Sequence, residues 1–110
     1  MKWLLLVLVA CDPAPVTIDE VPCDGTTLTY DNFGAAFLNE NCNTCHSAAA
    51  GDRHGAPASF TFDTLDEVRA HKDRIFVRAA GPNTSMPPGP VDPPSEARDR
   101  LAEWLACGAP

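Results

Sequence analysis

The feature that most constrains this sequence is the pentad Cys42-Asn43-Thr44-Cys45-His46. Two cysteines with two residues between them lie on one helical turn, and an imidazole follows directly. A structural zinc site would need a second pair of ligands with similar spacing, and a thioredoxin-type dithiol would need a βαβ pattern; the sequence has neither. Zinc, a dithiol and a chance occurrence remain the alternatives. The pentad predicts covalent attachment of one haem c, with Cys42 and Cys45 as the bonded thiols and His46 as an axial iron ligand.

A second axial ligand is expected from the proline-rich segment 83–90. Met86 is the only methionine in the chain after Met1, and Pro87, Pro88 and Pro90 stiffen the loop around it. A thioether held in this way suits the second axial position. The alternative for Met86 is a buried gap-filling side chain.

Two histidines are rivals of Met86 for the second axial position. His54 follows His46 by eight residues in the sequence, and we expect it to stay on the same side of the iron as His46. His71 falls on the polar face of a predicted helix, where an exposed side chain is expected.

Residues 30–110 resemble a small class I cytochrome c. The resemblance is carried by the pentad near the start of this region, by Met86 in a Met-Pro-Pro loop, and by a closing amphipathic helix. It implies an all-α protein, with a cytochrome c-like orthogonal bundle of three to four short helices around a covalently bound haem.

Two further expectations come from this resemblance. A proline carbonyl in the loop after the pentad is expected to accept a hydrogen bond from the other ring nitrogen of His46, and Pro57 is the candidate. The first and last helices are expected to cross at a small residue packed against an aromatic ring, and Gly34 and Trp104 are the matching pair. The alternative is that Gly34 only loosens the start of a helix.

Three helical segments follow from periodicity and capping signals. The first begins at a cap on Asp31 or Asn32 and runs towards the pentad. The second begins with Thr64 and Glu67 in capping-box spacing and stops near Gly81-Pro82. Its predicted inward-facing residues are Leu65, Val68, Ile75 and Ala79.

The third predicted helix is capped by Ser95 and ends at Cys107, before Gly108. Leu101 and Trp104 belong to its apolar stripe, and Arg98 is expected to lie among the polar residues around that stripe.

The first ten residues predict an export signal. Residues 1–10 combine a charged start with an apolar stretch too short to cross a bilayer. Residues 8–11 resemble a bacterial lipobox, which implies lipidation of Cys11; an ordinary signal peptide is the alternative. Residues 11–29 are expected to form a tether, part of which can lie against the domain, and residues 30–110 the domain itself.

Cysteine usage fits an oxidising compartment. Of the five cysteines, Cys11 is assigned to lipid and two to haem, which leaves Cys23 and Cys107. We predict a disulfide between them, with two separate free thiols as the alternative.

The net charge of −7 argues against nucleic-acid binding and is compatible with redox protein partners that carry basic patches. We expect a monomeric electron carrier, anchored by lipid on the periplasmic side of a bacterial membrane, and no enzyme activity. The alternatives are a haem-based sensor or peroxidatic protein with a displaceable distal ligand, and an anchored interaction domain without a cofactor.

Overall fold

Helices supply the regular secondary structure of residues 15–110, the part of the chain that the computed structural model describes. The predicted signal peptide, residues 1–10, and the predicted lipidation site, Cys11, lie outside this range. No helix among the described residues is both long and apolar enough to cross a membrane.

Five α-helices follow one another, and the region 15–110 contains no β-strand. A 3₁₀ turn at Ile18–Glu20 and a π-helical turn at Tyr30–Gly34 precede them. The helices are α1 (Ala35–Asn41), α2 (Asn43–His46), α3 (Leu65–Ala70), α4 (Lys72–Ala79) and α5 (Ser95–Ala106). The predicted all-α class is confirmed, but the predicted number of three to four helices is too low because two segments are interrupted, at Cys42 and at His71.

The first helical segment starts earlier than predicted. The Thr29 hydroxyl accepts a hydrogen bond from the amide of Asn32 at 3.1 Å, and the Asn32 side chain accepts one from the amide of Thr29 at 2.7 Å. This reciprocal pair satisfies two backbone donors at the start of the π-helical turn. The cap is therefore Thr29, and the predicted cap at Asp31 or Asn32 is wrong.

The predicted second helix is divided in two. Thr64 caps it as expected, by accepting a hydrogen bond from the amide of Glu67 at 3.2 Å. At His71 the backbone leaves helical geometry, with φ −111° and ψ 12°. His71 is half-buried rather than exposed: its Nε2 lies 3.0 Å from the carbonyl oxygen of Ser59, and its ring packs on Phe60. These tertiary contacts coincide with the break between α3 and α4.

Helix α5 matches its predicted span to within one residue at either end. Its N-cap is Pro94 rather than Ser95, and Gly108 adopts the left-handed conformation after its last turn, with φ +87°. The prediction that Arg98 faces water is wrong, because this side chain is only 2% exposed. Backbone carbonyls of the preceding loop surround its guanidinium group.

The core lies where α1, α3, α4 and α5 meet. Val68, Ile75 and Ala79 are buried as predicted. The other large buried apolar side chains are Phe37, Leu38, Phe62, Phe76, Leu101, Trp104 and Leu105.

Gly34 marks a close approach between the start of the first helical segment and α5. A Cβ atom placed on Gly34 would lie within 3.0 Å of three ring carbons of Trp104. The Trp104 ring is buried and donates its indole N–H to the carbonyl of Pro110 at 3.1 Å, so it cannot easily move aside. The predicted packing of Gly34 against Trp104 is confirmed.

We expect Gly34→Ala to lower the free energy of unfolding by about 2 kcal/mol. Because the added Cβ meets a buried ring that is held in place, the overpacking cost lies at the upper end of the usual range, about 3 kcal/mol. The gain of alanine over glycine in a helix, roughly 1 kcal/mol, offsets part of it. Urea unfolding followed by circular dichroism measures the change. Gly51→Ala is the matched control, because a Cβ on Gly51 meets no atom within 4 Å. Equal stability of the two variants would contradict this role of the crossing.

Residues 15–29 pack against the domain. Val16, Ile18, Val21 and Leu28 contact the core. Cys23 and Cys107 are paired in a disulfide with their Cα atoms 5.0 Å apart, which is the pairing predicted from the cysteine count. This part of the predicted tether is thus joined to the end of α5.

Candidate functional site

The predicted cofactor-binding residues line one cavity. Its volume is about 340 Å³, and Cys42, Cys45, His46 and Met86 all border it. The apolar part of its lining comes from Pro57, Phe60, Phe62, Ile75, Ala79, Pro87 and Pro88. A largely apolar cavity of this size falls within the range of roughly 300–1,000 Å³ that small-molecule and cofactor sites occupy.

The pentad forms the junction between α1 and α2. Cys42 follows the last residue of α1, and its carbonyl accepts hydrogen bonds from the amides of Cys45 at 3.2 Å and His46 at 3.0 Å. Neither Cys42 nor Cys45 is in a disulfide. Burial raises the pKa of the Cys42 thiol to about 12, although the positive charge of Arg98 acts in the opposite direction. The Cys42 thiol is therefore neutral at physiological pH.

The imidazole of His46 is held by two contacts. Its Nδ1 lies 2.9 Å from the carbonyl oxygen of Phe60, and its ring stacks on Phe62 with the centroids 4.6 Å apart. Since a carbonyl oxygen only accepts hydrogen bonds, the ring proton belongs on Nδ1, and Nε2 keeps its lone pair. This is the tautomer in which Nε2 can bind a metal.

The prediction for Pro57 needs correction. The acceptor for His46 is the carbonyl of Phe60, and the carbonyl of Pro57 accepts instead from the guanidinium group of Arg53 at 2.8 Å. Phe60 follows Pro57 by three residues and lies directly after the expected loop, residues 47–59, so the expected residue is wrong. Pro57 still borders the cavity.

Arg53 organises the loop between α2 and the Phe60–Phe62 segment. Its guanidinium donates to the carbonyls of Ser47 at 2.9 Å and of Phe60 at 3.3 Å, in addition to Pro57. Its Nε is buried without a hydrogen-bond partner among the described residues. Arg53 therefore shapes the loop that positions the acceptor of His46.

The Phe60–Phe62 segment was missed by sequence reasoning. It is tied to the pentad by the amide of Phe62, which donates to the carbonyl of His46 at 3.0 Å, and by Asn43, which donates to the carbonyl of Phe62 at 3.1 Å. The alternation Phe60-Thr61-Phe62 after a loop rich in small residues is a signal that predicts a short extended segment with both rings on one side.

Met86 reaches the cavity from the loop between α4 and α5. Its side chain is 37% exposed. Its amide donates to the carbonyl of Arg78 at 2.9 Å, and its own carbonyl accepts from Arg98 at 2.8 Å. Of the two rival histidines, His54 borders the cavity, and its Nδ1 lies 3.6 Å from Oδ2 of Asp52. His71 does not border the cavity, and its ring packs on Phe60.

The charges around the cavity have one sign. Arg53, Arg74 and Arg78 border it, and none of the described carboxylate side chains does, although the whole protein is acidic. No group of three or more His, Cys, Asp or Glu side chains suited to a metal ion occurs within residues 15–110. The cavity thus favours an apolar molecule with negatively charged substituents over a bare metal ion.

Comparison of the chain with protein-family models, with curated proteins and with solved structures finds no match.

Proposed function

We propose that the protein is a mono-haem c-type cytochrome that transfers electrons. In this proposal Cys42 and Cys45 hold one haem c through thioether bonds, and His46 and Met86 are the axial ligands. The observation that carries the proposal is that the pentad residues Cys42, Cys45 and His46 and the distant Met86 border one apolar cavity. A cytochrome c-like bundle is the corresponding fold, supported by the packing of Gly34 on Trp104.

The chemistry of the cavity fits a haem. Haem is a flat apolar macrocycle with two carboxylate groups, and the cavity combines apolar walls with Arg53, Arg74 and Arg78. These features support haem over the zinc and dithiol alternatives.

The residues of the chain prepare both axial positions. The hydrogen bond from His46 Nδ1 to Phe60 fixes the imidazole in the metal-binding tautomer and makes Nε2 a better donor to iron. As a ligand, the thioether of Met86 would stabilise ferrous over ferric iron relative to a second histidine and so would raise the reduction potential.

Electron transfer is the function that this ligand set favours. When bound, haem supplies one-electron cycling between ferric and ferrous iron. With His46 and Met86 as ligands, the haem would have no position left for a substrate. The chain would contribute the binding of the cofactor and its orientation.

We also propose that the protein works as a monomer on the periplasmic side of a bacterial membrane. This part rests on the sequence of residues 1–11, with lipid on Cys11, and on the disulfide between Cys23 and Cys107, which suits an oxidising compartment. The acidic surface suits redox proteins with basic patches as electron donors and acceptors.

We expect the exported, haem-loaded protein to give a six-coordinate c-type spectrum that CO does not change. Met86→Ala is expected to remove the weak methionine-to-iron band near the red end of the ferric absorption spectrum. It is also expected to permit CO binding, because the ferrous iron then lacks its sixth ligand. His54→Ala, which alters the rival side chain at the cavity, is the matched control and is expected to retain the band. Absorption spectra of both redox states with and without CO measure these changes.

Two results would contradict the proposal. Absence of covalent haem would reject the cofactor. Binding of CO by the unaltered protein would retain the haem but favour the sensor or peroxidatic alternative, in which the distal ligand is displaceable.

A further inference from the structure

Arg98 is a buried cation that the proposed ligand set does not use. It lies on α5 with 2% of its surface exposed, and it does not border the cavity. Burying a guanidinium group is unfavourable unless acceptors surround it. The partners of Arg98 therefore indicate what the residue does.

Three of these partners are backbone carbonyls on the segment that leads to Met86. Nη1 of Arg98 donates to the carbonyls of Ala79 at 3.0 Å, Asn83 at 3.1 Å and Met86 at 2.8 Å. Nη2 donates to Asp92 at 2.9 Å, on the far side of the same loop. The guanidinium group thus connects the end of α4, the middle of the loop and Met86 itself.

Prolines limit the donors that the backbone of the loop itself offers. Pro82, Pro87, Pro88 and Pro90 have no amide hydrogen. Within the loop the amide of Asn83 donates to Ala80, and the amide of Met86 donates back to Arg78 at the end of α4. Arg98 provides the remaining fixed attachment at Met86. Its rigid fork bonds the three carbonyls through Nη1 and Asp92 through Nη2 at the same time, which the single nitrogen of a lysine cannot do.

The start of the loop is held from a second side. The side chain of Asn83 exchanges two hydrogen bonds with the backbone of Val16, at 3.0 and 2.7 Å, and donates to the carbonyl of Phe76 at 2.9 Å. Asn83 is therefore fixed between α4 and the N-terminal segment. A fixed Asn83 carbonyl in turn fixes the guanidinium group that also holds Met86.

We propose that Arg98 is the positioning residue for Met86: by donating to the carbonyls of Ala79, Asn83 and Met86, it keeps the Met86 side chain at the wall of the cavity. The contact of Arg98 with the loop stands on the hydrogen bonds above, and its effect on a methionine ligand rests on the proposed function.

The test compares Arg98→Lys with Arg100→Lys in the haem-loaded full-length protein. Arg98→Lys retains the charge, but its side chain is shorter and has one nitrogen, so it cannot bond the carbonyls and Asp92 from two positions as the guanidinium group does. Arg100 is exposed on the same helix and serves as the matched control. Arg98→Lys is the main variant because complete removal of the donors by Arg98→Met can prevent folding. Urea unfolding establishes that the compared proteins are folded.

Two readouts separate positioning from general stability. Loss of charge-assisted hydrogen bonds to the loop is expected to speed hydrogen exchange at the Met86 amide by about tenfold or more, with the amides of α4 unchanged. Imidazole added to the ferric protein is expected to bind about tenfold more tightly, because it displaces a less firmly held Met86. In a Met86→Ala background Arg98→Lys should have no effect on imidazole binding.

The outcomes distinguish this inference from the proposed function. If the unaltered protein has the methionine band and Arg98→Lys changes neither readout more than Arg100→Lys does, the role of Arg98 is overturned and the proposed function stands. If the unaltered protein lacks haem or the methionine band, the proposed function fails. Hydrogen exchange at Met86 then decides alone whether Arg98 holds the loop: faster exchange in Arg98→Lys supports it, and unchanged exchange overturns it.

Discussion

Replacing both Cys42 and Cys45 by serine is expected to abolish covalent attachment of haem completely. A serine hydroxyl does not form the thioether bond, and both replaced side chains border the same cavity. Mass spectrometry of the denatured, exported protein measures the effect: the unaltered protein should carry the mass of one haem, and the double variant should not. Either single variant is expected to retain at most one thioether bond.

The matched control for this experiment is the pair Cys23→Ser and Cys107→Ser. It also removes two cysteines, but these form the disulfide away from the cavity, so covalent haem should remain. Covalent haem in the Cys42 and Cys45 double variant would exclude the proposed attachment sites. Its absence in both double variants would indicate that export or folding had failed, and the unaltered protein then decides the question.

Removing the disulfide is expected to reduce stability by about 4–5 kcal/mol in the chain-entropy treatment, because the bond closes a long loop. Cys23 and Cys107 are 84 residues apart in the sequence. The Cys23→Ser and Cys107→Ser double variant should therefore unfold at a much lower urea concentration than the unaltered protein, with haem absorption and circular dichroism as the probes.

Dithiothreitol offers an independent check on the same bond. It reduces a disulfide but does not cleave thioether bonds, so the treated, unaltered protein should resemble the double variant in stability. A change of less than about 1 kcal/mol in both experiments would show that residues 15–29 and α5 stay together without the bond. Measured contributions of disulfides to stability range from roughly 0 to 5 kcal/mol, so such a value would lie at the low end.

Local sequence signals located most helix boundaries to within a few residues. The capping residue Thr64 and the left-handed Gly108 act within one turn of their own helices, so they can be recognised without the rest of the fold. The start at Thr29 was missed because Thr29 and Asn32 form a capping pair that begins two or three residues earlier than the predicted cap.

The interruption at His71 could not be read from the sequence. Apolar periodicity continues through it, from Val68 to Ile75, and predicts one helix. The contacts of His71 with Ser59 and Phe60 come from a different part of the chain. A helix pattern does not contain information about such contacts.

In the candidate site, too, some contacts could be predicted from the sequence and others depend on the fold. The spacing of Cys42, Cys45 and His46 predicts their juxtaposition, because residues on one turn are neighbours whatever the rest of the chain does. That Met86 reaches the same cavity was expected from its proline-rich loop, whereas the acceptor at Phe60 and the loop contacts of Arg53 depend on how the chain returns to the pentad.

The sequence by itself determined the helix-forming segments and the cysteine pair left for a disulfide, because each follows from residue type, spacing or count, and the family resemblance implied the all-α class. Only the tertiary structure decided that Phe60 rather than Pro57 accepts from His46, and that Arg98 is buried rather than exposed. On a helix, periodicity assigns arginine to water, since a charge is costly to bury. The carbonyls of Ala79, Asn83 and Met86 offset that cost, and they meet at Arg98 only after the chain has folded.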